Sequence, residues 1–154
     1  MKSYGPIKYL GSFFGIGYLP GLNGTYASAI TAGILMLAFY LGAPMWAIIL
    51  ATILAIFLAV PIATRFEQQA NSKDPHPFVL DEVVGMMIAG LVLWTPWNSG
   101  MWAIIVSFIL FRILDITKSF PISEMEYLPK GWGIVMDDVA AGIIALGITF
   151  FLFK

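Results

Sequence analysis

Five apolar stretches, each about as long as a lipid bilayer is thick, occupy most of this 154-residue chain and limit its fold more than any motif does. A hydrocarbon core about 30 Å thick takes roughly 17 to 25 apolar residues to cross as a helix. The stretches fall at about 25–41, 45–64, 78–94, 101–117 and 132–153, and the first two carry no charge. Inside lipid the backbone must satisfy its own hydrogen bonds, which leaves helices or a closed barrel, and runs of this length select helices. The expected fold class is therefore all-α: one polytopic membrane bundle of about five transmembrane helices over residues 1–154. At 1.5 Å rise per residue, the 17-residue runs reach only about 26 Å and must borrow interfacial residues. The segment 4–18, YGPIKYLGSFFGIGY, is aromatic, broken by glycine and too short before Pro20 to span, so it reads as interfacial. It lacks the uninterrupted apolar stretch of a signal peptide.

Composition agrees. The chain is 60% hydrophobic and 11% charged, with mean hydropathy +0.89, against about 45–50% and about 25% in soluble domains. A water-soluble globule is disfavoured on that ground. A net charge of −1 offers no excess of cations for nucleic acid. With no cysteine, disulfides, zinc thiolates and cysteine nucleophiles are excluded as well.

Alternating spans place the N-terminal segment and the 65–78 and 118–131 loops on one side of the membrane. Lys2, Lys8, Arg65, Lys73, Arg112, Lys118 and Lys130 fall there, and only Lys154 falls opposite. The positive-inside rule makes the first side cytoplasmic. Trp94, Trp97 and Trp102 suit an aromatic belt at the other interface.

Charges within spans cost about 2.5 to 3.5 kcal/mol each on insertion scales, so a group of them marks a site. Asp81 and Glu82 begin the third span, Arg112 and Asp115 end the fourth, and Asp137 and Asp138 begin the fifth. The topology brings all six to similar depth at one face. Five convergent carboxylates repel unless a cation offsets them. Oxygen ligands without cysteine, and with a single histidine, point to Mg²⁺, with Mn²⁺ as the other choice. Such an ion shares its remaining positions with water and phosphate, and Arg112 and Lys118 beside it suit a phosphoryl clamp. The turn PGLNGTYAS adds Asn23, Gly24 and Thr25 at a helix N-terminus, where free N–H groups favour an anion. Asp81, Glu82, Asp115, Asp137 and Asp138 are thus the candidate metal ligands and catalytic acids, and Arg112, Lys118, Asn23, Gly24 and Thr25 the candidate phosphate-binding residues. Glu67, Asp74, Glu124 and Glu126 read as solvated loop charges, and His76, between two prolines, as a loop residue. From another class of function, a cation or proton-coupled transporter also uses intramembrane carboxylates.

Four blocks in order, LPGLNGTYAS (19–28), LDEVVGMM (80–87), FRILDITKSFPI (111–122) and GWGIVMDDVAAG (131–142), resemble the phosphatidylglycerophosphatase A family of bacterial membrane lipid phosphatases. The resemblance runs from about Gly11 to the end of the chain. It implies Mg²⁺-dependent hydrolysis of the terminal phosphomonoester of phosphatidylglycerophosphate, a phospholipid substrate met in the bilayer, and a bacterial inner-membrane location. It carries onto Asp81, Glu82, Arg112, Asp115, Lys118, Asp137 and Asp138, with Gly24 and Thr25 from the first block. The family's first block commonly reads PGTxGS, and its third commonly has proline where this chain has Ser119. Those differences bear on loop shape and head-group preference, since every acid and cation is in place. Attack by activated water and an aspartyl-phosphate route through Asp115 or Asp138 both fit the residues.

Overall fold

The structure, a computed structural model, describes residues 7–71, 77–96 and 100–154. Lys2, Lys73, Asp74, His76 and Trp97 lie outside them. Among the described residues the chain is all-helical: α1 (Ile7–Gly11), a 3₁₀ turn (Ile16–Tyr18), α2 (Asn23–Tyr40), α3 (Met45–Ala70), α4 (Leu80–Ala89), a second 3₁₀ turn (Gly90–Trp94), α5 (Met101–Thr117), α6 (Ile122–Met125) and α7 (Gly131–Leu152). The long helices α2, α3, α5 and α7 surround α4, whose Val83, Val84, Gly85, Met86, Ile88 and Ala89 are all buried.

Two of the five expected spans, α3 and α7, are individually long and apolar enough to cross a membrane. The third departs most from expectation. Instead of one helix over 78–94, α4 stops at Ala89 and tightens into a 3₁₀ turn. Ser107 of α5 supplies the reason, because its hydroxyl donates to the Ala89 carbonyl at 2.7 Å and offers that oxygen a partner outside the helix. A Cβ at Gly90 would also strike the Leu35 and Ile104 side chains, so the turn occurs where three elements press together. At its end the Trp94 indole N–H donates to the Ala43 carbonyl at 2.7 Å, so this tryptophan fastens two turns of the bundle to each other.

The second span runs further than its apolar stretch. Arg65 to Ala70, expected in a loop, continue α3 until Asn71 closes it in the left-handed region at φ 53°. Pro61 sits inside that helix, one turn from Thr64, whose hydroxyl donates to the Val60 carbonyl at 2.9 Å and accepts from the Gly131 N–H at 3.0 Å. This contact seats the first residue of α7 against α3. At the same end the N-terminal segment packs inward through Gly11, whose absent side chain leaves room for the Phe66 ring. The Gly11 carbonyl accepts the Val79 N–H at 3.0 Å.

Outward faces are apolar. Ile30, Ile34 and Leu37 of α2, Leu50, Ile53, Leu54 and Phe57 of α3, Ile109 and Ile113 of α5, and Ile143 and Phe151 of α7 are all exposed. A monomer in water rarely shows so continuous an apolar surface.

Candidate functional site

Where α4 and α7 cross, each presents a glycine. A Cβ on Gly142 would collide with the Gly85 carbonyl, and one on Gly85 would collide with the Phe111 ring and stand 2.8 Å from the Asp138 carbonyl. The helices therefore approach at backbone distance. One turn earlier on each strip lie Asp81 and Asp138, so this crossing sets the acid pairs Asp81-Glu82 and Asp137-Asp138 opposite one another. Both pairs share a local geometry. The Glu82 N–H donates to Asp81 Oδ1 at 3.0 Å, and the Asp138 N–H donates to Asp137 Oδ1 at 2.9 Å.

These four acids, with Asp115, Lys118 and Glu126, line a cavity of about 400 Å³. Asp81, Asp137 and Asp138 are 8%, 4% and 2% exposed, far below what acids with bulk water as partner show. Asp81, Glu82 and Asp138 each bring a carboxylate oxygen within 4.8 Å of the other two. Glu82 Oε2 and Asp138 Oδ2 are buried without a hydrogen-bond partner. Buried carboxylate oxygens in that condition carry the full desolvation cost, and a hard divalent cation is a chemical group that these two oxygens, clustered with an oxygen of Asp81, would fit.

The other two expected ligands have cationic partners. Asp115 accepts from Arg112 Nη1 at 2.5 Å, one turn away on α5. Asp137 accepts from Lys118 Nζ at 2.9 Å. Lys118 caps α5 in the left-handed region at φ 43° and also meets Glu126 Oε1 at 2.5 Å. Burial alone would lower the pKa of that ammonium, but hydrogen bonds to Glu126 and Asp137 outweigh it and hold the group well above the usual lysine range. Lys118 is therefore a fixed positive charge on the cavity wall at any physiological pH.

The first block divides. Gly24 lies against the acids, since a Cβ there would overlap the Glu82 carboxylate and stand 3.2 Å from Arg112 Nη2. Asn23 turns away: its amide donates to the Gly17 carbonyl at 3.1 Å, and its Oδ1 accepts the Gly24 N–H at 2.9 Å. It braces the entry to α2. Neither Asn23 nor Thr25 lines the cavity.

Glu126 is the residue that sequence reasoning set aside as a solvated loop charge. It reaches the cavity because the 118–131 connection folds back onto α7, with the Glu126 and Leu128 carbonyls so near Gly133 that a Cβ there would stand 2.8 and 2.7 Å from them. The sequence offers only indirect signals of this return: Pro121 and Pro129 on either side of Glu126, and a glycine at position 133.

Comparison with known proteins gives a consistent picture. Residues 9–153 match the family described as Phosphatidylglycerophosphatase A. Phosphatidylglycerophosphatase A of Escherichia coli is 30% identical over 153 residues, covering 99% of this chain and 86% of that protein. The Haemophilus influenzae protein of the same name is 35% identical over 149 residues, covering 94% and 87%. A Bacteroides thetaiotaomicron protein named Putative phosphatidylinositol-3-phosphatase is 37% identical over 139 residues, covering 87% and 85%. No solved structure matches.

Proposed function

The chain belongs to the phosphatidylglycerophosphatase A family and is a phosphatase, and from that premise we propose that it removes the terminal phosphate of phosphatidylglycerophosphate, yielding phosphatidylglycerol and inorganic phosphate. The observation that carries the reading is the composition of one cavity wall: three clustered acids, two with partnerless buried oxygens, and a lysine beside them, with Arg112 held just behind the wall by Asp115. Phosphoryl transfer depends on position and on neutralised charge more than on covalent chemistry, and this wall supplies both.

In this proposal Asp81, Glu82 and Asp138 hold Mg²⁺, or Mn²⁺ in its place. When bound, such an ion supplies Lewis-acid charge at the phosphoryl oxygens and makes water a better nucleophile. Lys118 offers its ammonium to the phosphate, and Asp137 and Glu126 keep that ammonium at the wall. Arg112, aimed by Asp115, gives its guanidinium a planar set of donors for phosphate oxygens. The volume of about 400 Å³ lies within the range of small-molecule sites and suits a phosphorylated head group.

The setting we propose is a bacterial inner membrane crossed several times, with the N-terminus and the acids at the cytoplasmic face. The acids and site cations collect at the ends of α2, α4, α5 and α7 that lie together, while the outward faces are apolar. A carrier reading has no support from the relatives.

Phosphate release by the purified protein in detergent tests the proposal, with phosphatidylglycerophosphate and phosphatidylinositol 3-phosphate supplied in parallel because one relative is named for the second lipid. The expected result is faster release from phosphatidylglycerophosphate, stopped by EDTA and restored by Mg²⁺. No release from either lipid would overturn the phosphatase reading, and EDTA-insensitive release would remove the metal from it. Lys118→Ala and Glu126→Ala should then separate in size. Lys118 is the group offered to phosphate, and its loss should cost on the order of 10²-fold in kcat/KM. The Lys118–Glu126 pair is 34% and 42% exposed, and partly exposed pairs are worth about 1 kcal/mol or less, so Glu126→Ala should cost less than about tenfold. The reverse order in a steady-state comparison would move the phosphate role off Lys118.

A further inference from the structure

Away from the acids, α2 and α5 leave a second cavity of about 210 Å³ between them. Ala29, Ala32, Gly33 and Met36 form its α2 side, and Ile104, Ile105 and Phe108 are on its α5 side. Every residue lining it is apolar. Both sets recur at three to four residues, so each forms one stripe along its helix. Continued by one turn, the α5 stripe passes from Phe108 to Arg112, and the α2 stripe passes from Ala29 to Thr25. The same two helices still touch there, where Gly24 leaves room for Arg112 Nη2. The groove itself stops at Ala29 and Phe108, one helical turn short of Arg112, whose guanidinium is paired with Asp115 of the acid cavity.

Resting on the lipid-phosphatase reading above, we propose that this groove receives an acyl chain of the substrate, placing the phosphorylated head group beside Arg112 and Lys118. The groove is apolar along its length and points along α2 and α5 toward Arg112, one turn beyond its end, which matches an anionic amphiphile held by its tail. Access is from the side: Ile30 and Ile34 on α2 and Ile105 and Ile109 on α5 are exposed around it, so a chain can enter from surrounding lipid without crossing a polar surface. The small residues of α2 set the width, and at Gly33 a Cβ would meet nothing within 4 Å.

Gly33→Phe puts a ring into the groove, and Leu54→Phe puts one on the exposed face of α3, away from it. Kinetics are read with long-chain phosphatidylglycerophosphate in detergent and with a water-soluble short-chain analogue. Gly33→Phe should raise KM for the long-chain lipid at least tenfold with kcat near wild type and leave short-chain turnover unchanged, and Leu54→Phe should match wild type on both. Equal kinetics of Gly33→Phe and wild type on both substrates would overturn the groove, as would an equal loss on both. A second measurement uses the unmodified protein and a phosphatidylglycerophosphate analogue with a photoreactive group in one acyl chain. Cross-linking to residues 29–36 or 101–108 is expected, and labelling confined to other peptides overturns the proposal. Failure of wild type to release phosphate from either substrate would defeat the phosphatase reading alone, with the cross-linking result still deciding the groove.

Discussion

Asp138→Asn is expected to lower phosphate release by on the order of 10² to 10³, the size associated with removing one preorganised charged partner from an active site, without lowering the melting temperature of the metal-free protein. The two halves of that result come from one geometry. Asp138 is 2% exposed, its Oδ2 has no hydrogen-bond partner, and it shares a 4.8 Å neighbourhood with oxygens of Asp81 and Glu82. Like charges about 5 Å apart repel by roughly 3 kcal/mol at an effective dielectric near 20, so the amide relieves repulsion in the absence of a cation. With Mg²⁺ the order reverses. A ligand that binds only the folded state raises its melting temperature, and wild type should gain more from Mg²⁺ than the variant does. Thermal unfolding in detergent with EDTA and with Mg²⁺, run beside the activity assay, reads both effects. A variant that loses activity and metal-free stability together would make Asp138 a packing residue.

That geometry was legible in the sequence only in part, and the reasons are physical. A charge inside an apolar run is costly wherever it points, so Asp81, Glu82, Arg112, Asp115, Asp137 and Asp138 could be singled out from position alone. Their pairing could not, because it depends on register between helices. Gly85 and Gly142 set that register, and a glycine within an apolar run has no signature that names its partner. The helix bounds expected at 101–117 match α5 residue for residue, since Gly100 and Lys118, both at positive φ, stand at its two ends. Hydropathy marked only the lipid-length part of α3, and the helix continues through Arg65 to Ala70 because a polar sequence is no obstacle to helix outside an apolar layer. The tightening after Ala89 depends on a hydroxyl eighteen positions later in the chain, beyond the reach of any local pattern. Glu126 carries no local signal for a similar reason: its place follows from where the chain returns, not from its sequence neighbours.

Gly24→Ala is expected to remove nearly all activity while leaving the fold in place, and two other glycines show why those outcomes separate. At Gly24 the added carbon would overlap the far end of the Glu82 side chain, with Glu82 Cδ at 2.8 Å and Arg112 Nη2 at 3.2 Å. A flexible carboxylate can swing aside at low cost to folding, since overpacking that a side chain can relieve falls at the lower end of about 1–3 kcal/mol. Once displaced, however, Glu82 leaves the three-acid cluster, and phosphate release should fall on the order of 10²-fold together with the Mg²⁺-dependent rise in melting temperature. At Gly131 the same carbon would meet the Val60 carbonyl and stand 2.6 Å from the Thr64 backbone nitrogen. Backbone of a packed helix cannot swing aside, so Gly131→Ala should lower the melting temperature in EDTA, where Gly24→Ala should not. At Gly33 nothing lies within 4 Å, and alanine there should leave the EDTA melting temperature unchanged. Activity and EDTA melting temperature measured for the three variants decide the matter. If Gly24→Ala keeps its activity, Glu82 does not need its observed position and leaves the metal set; if it unfolds as Gly131→Ala does, the space at Gly24 serves helix packing alone.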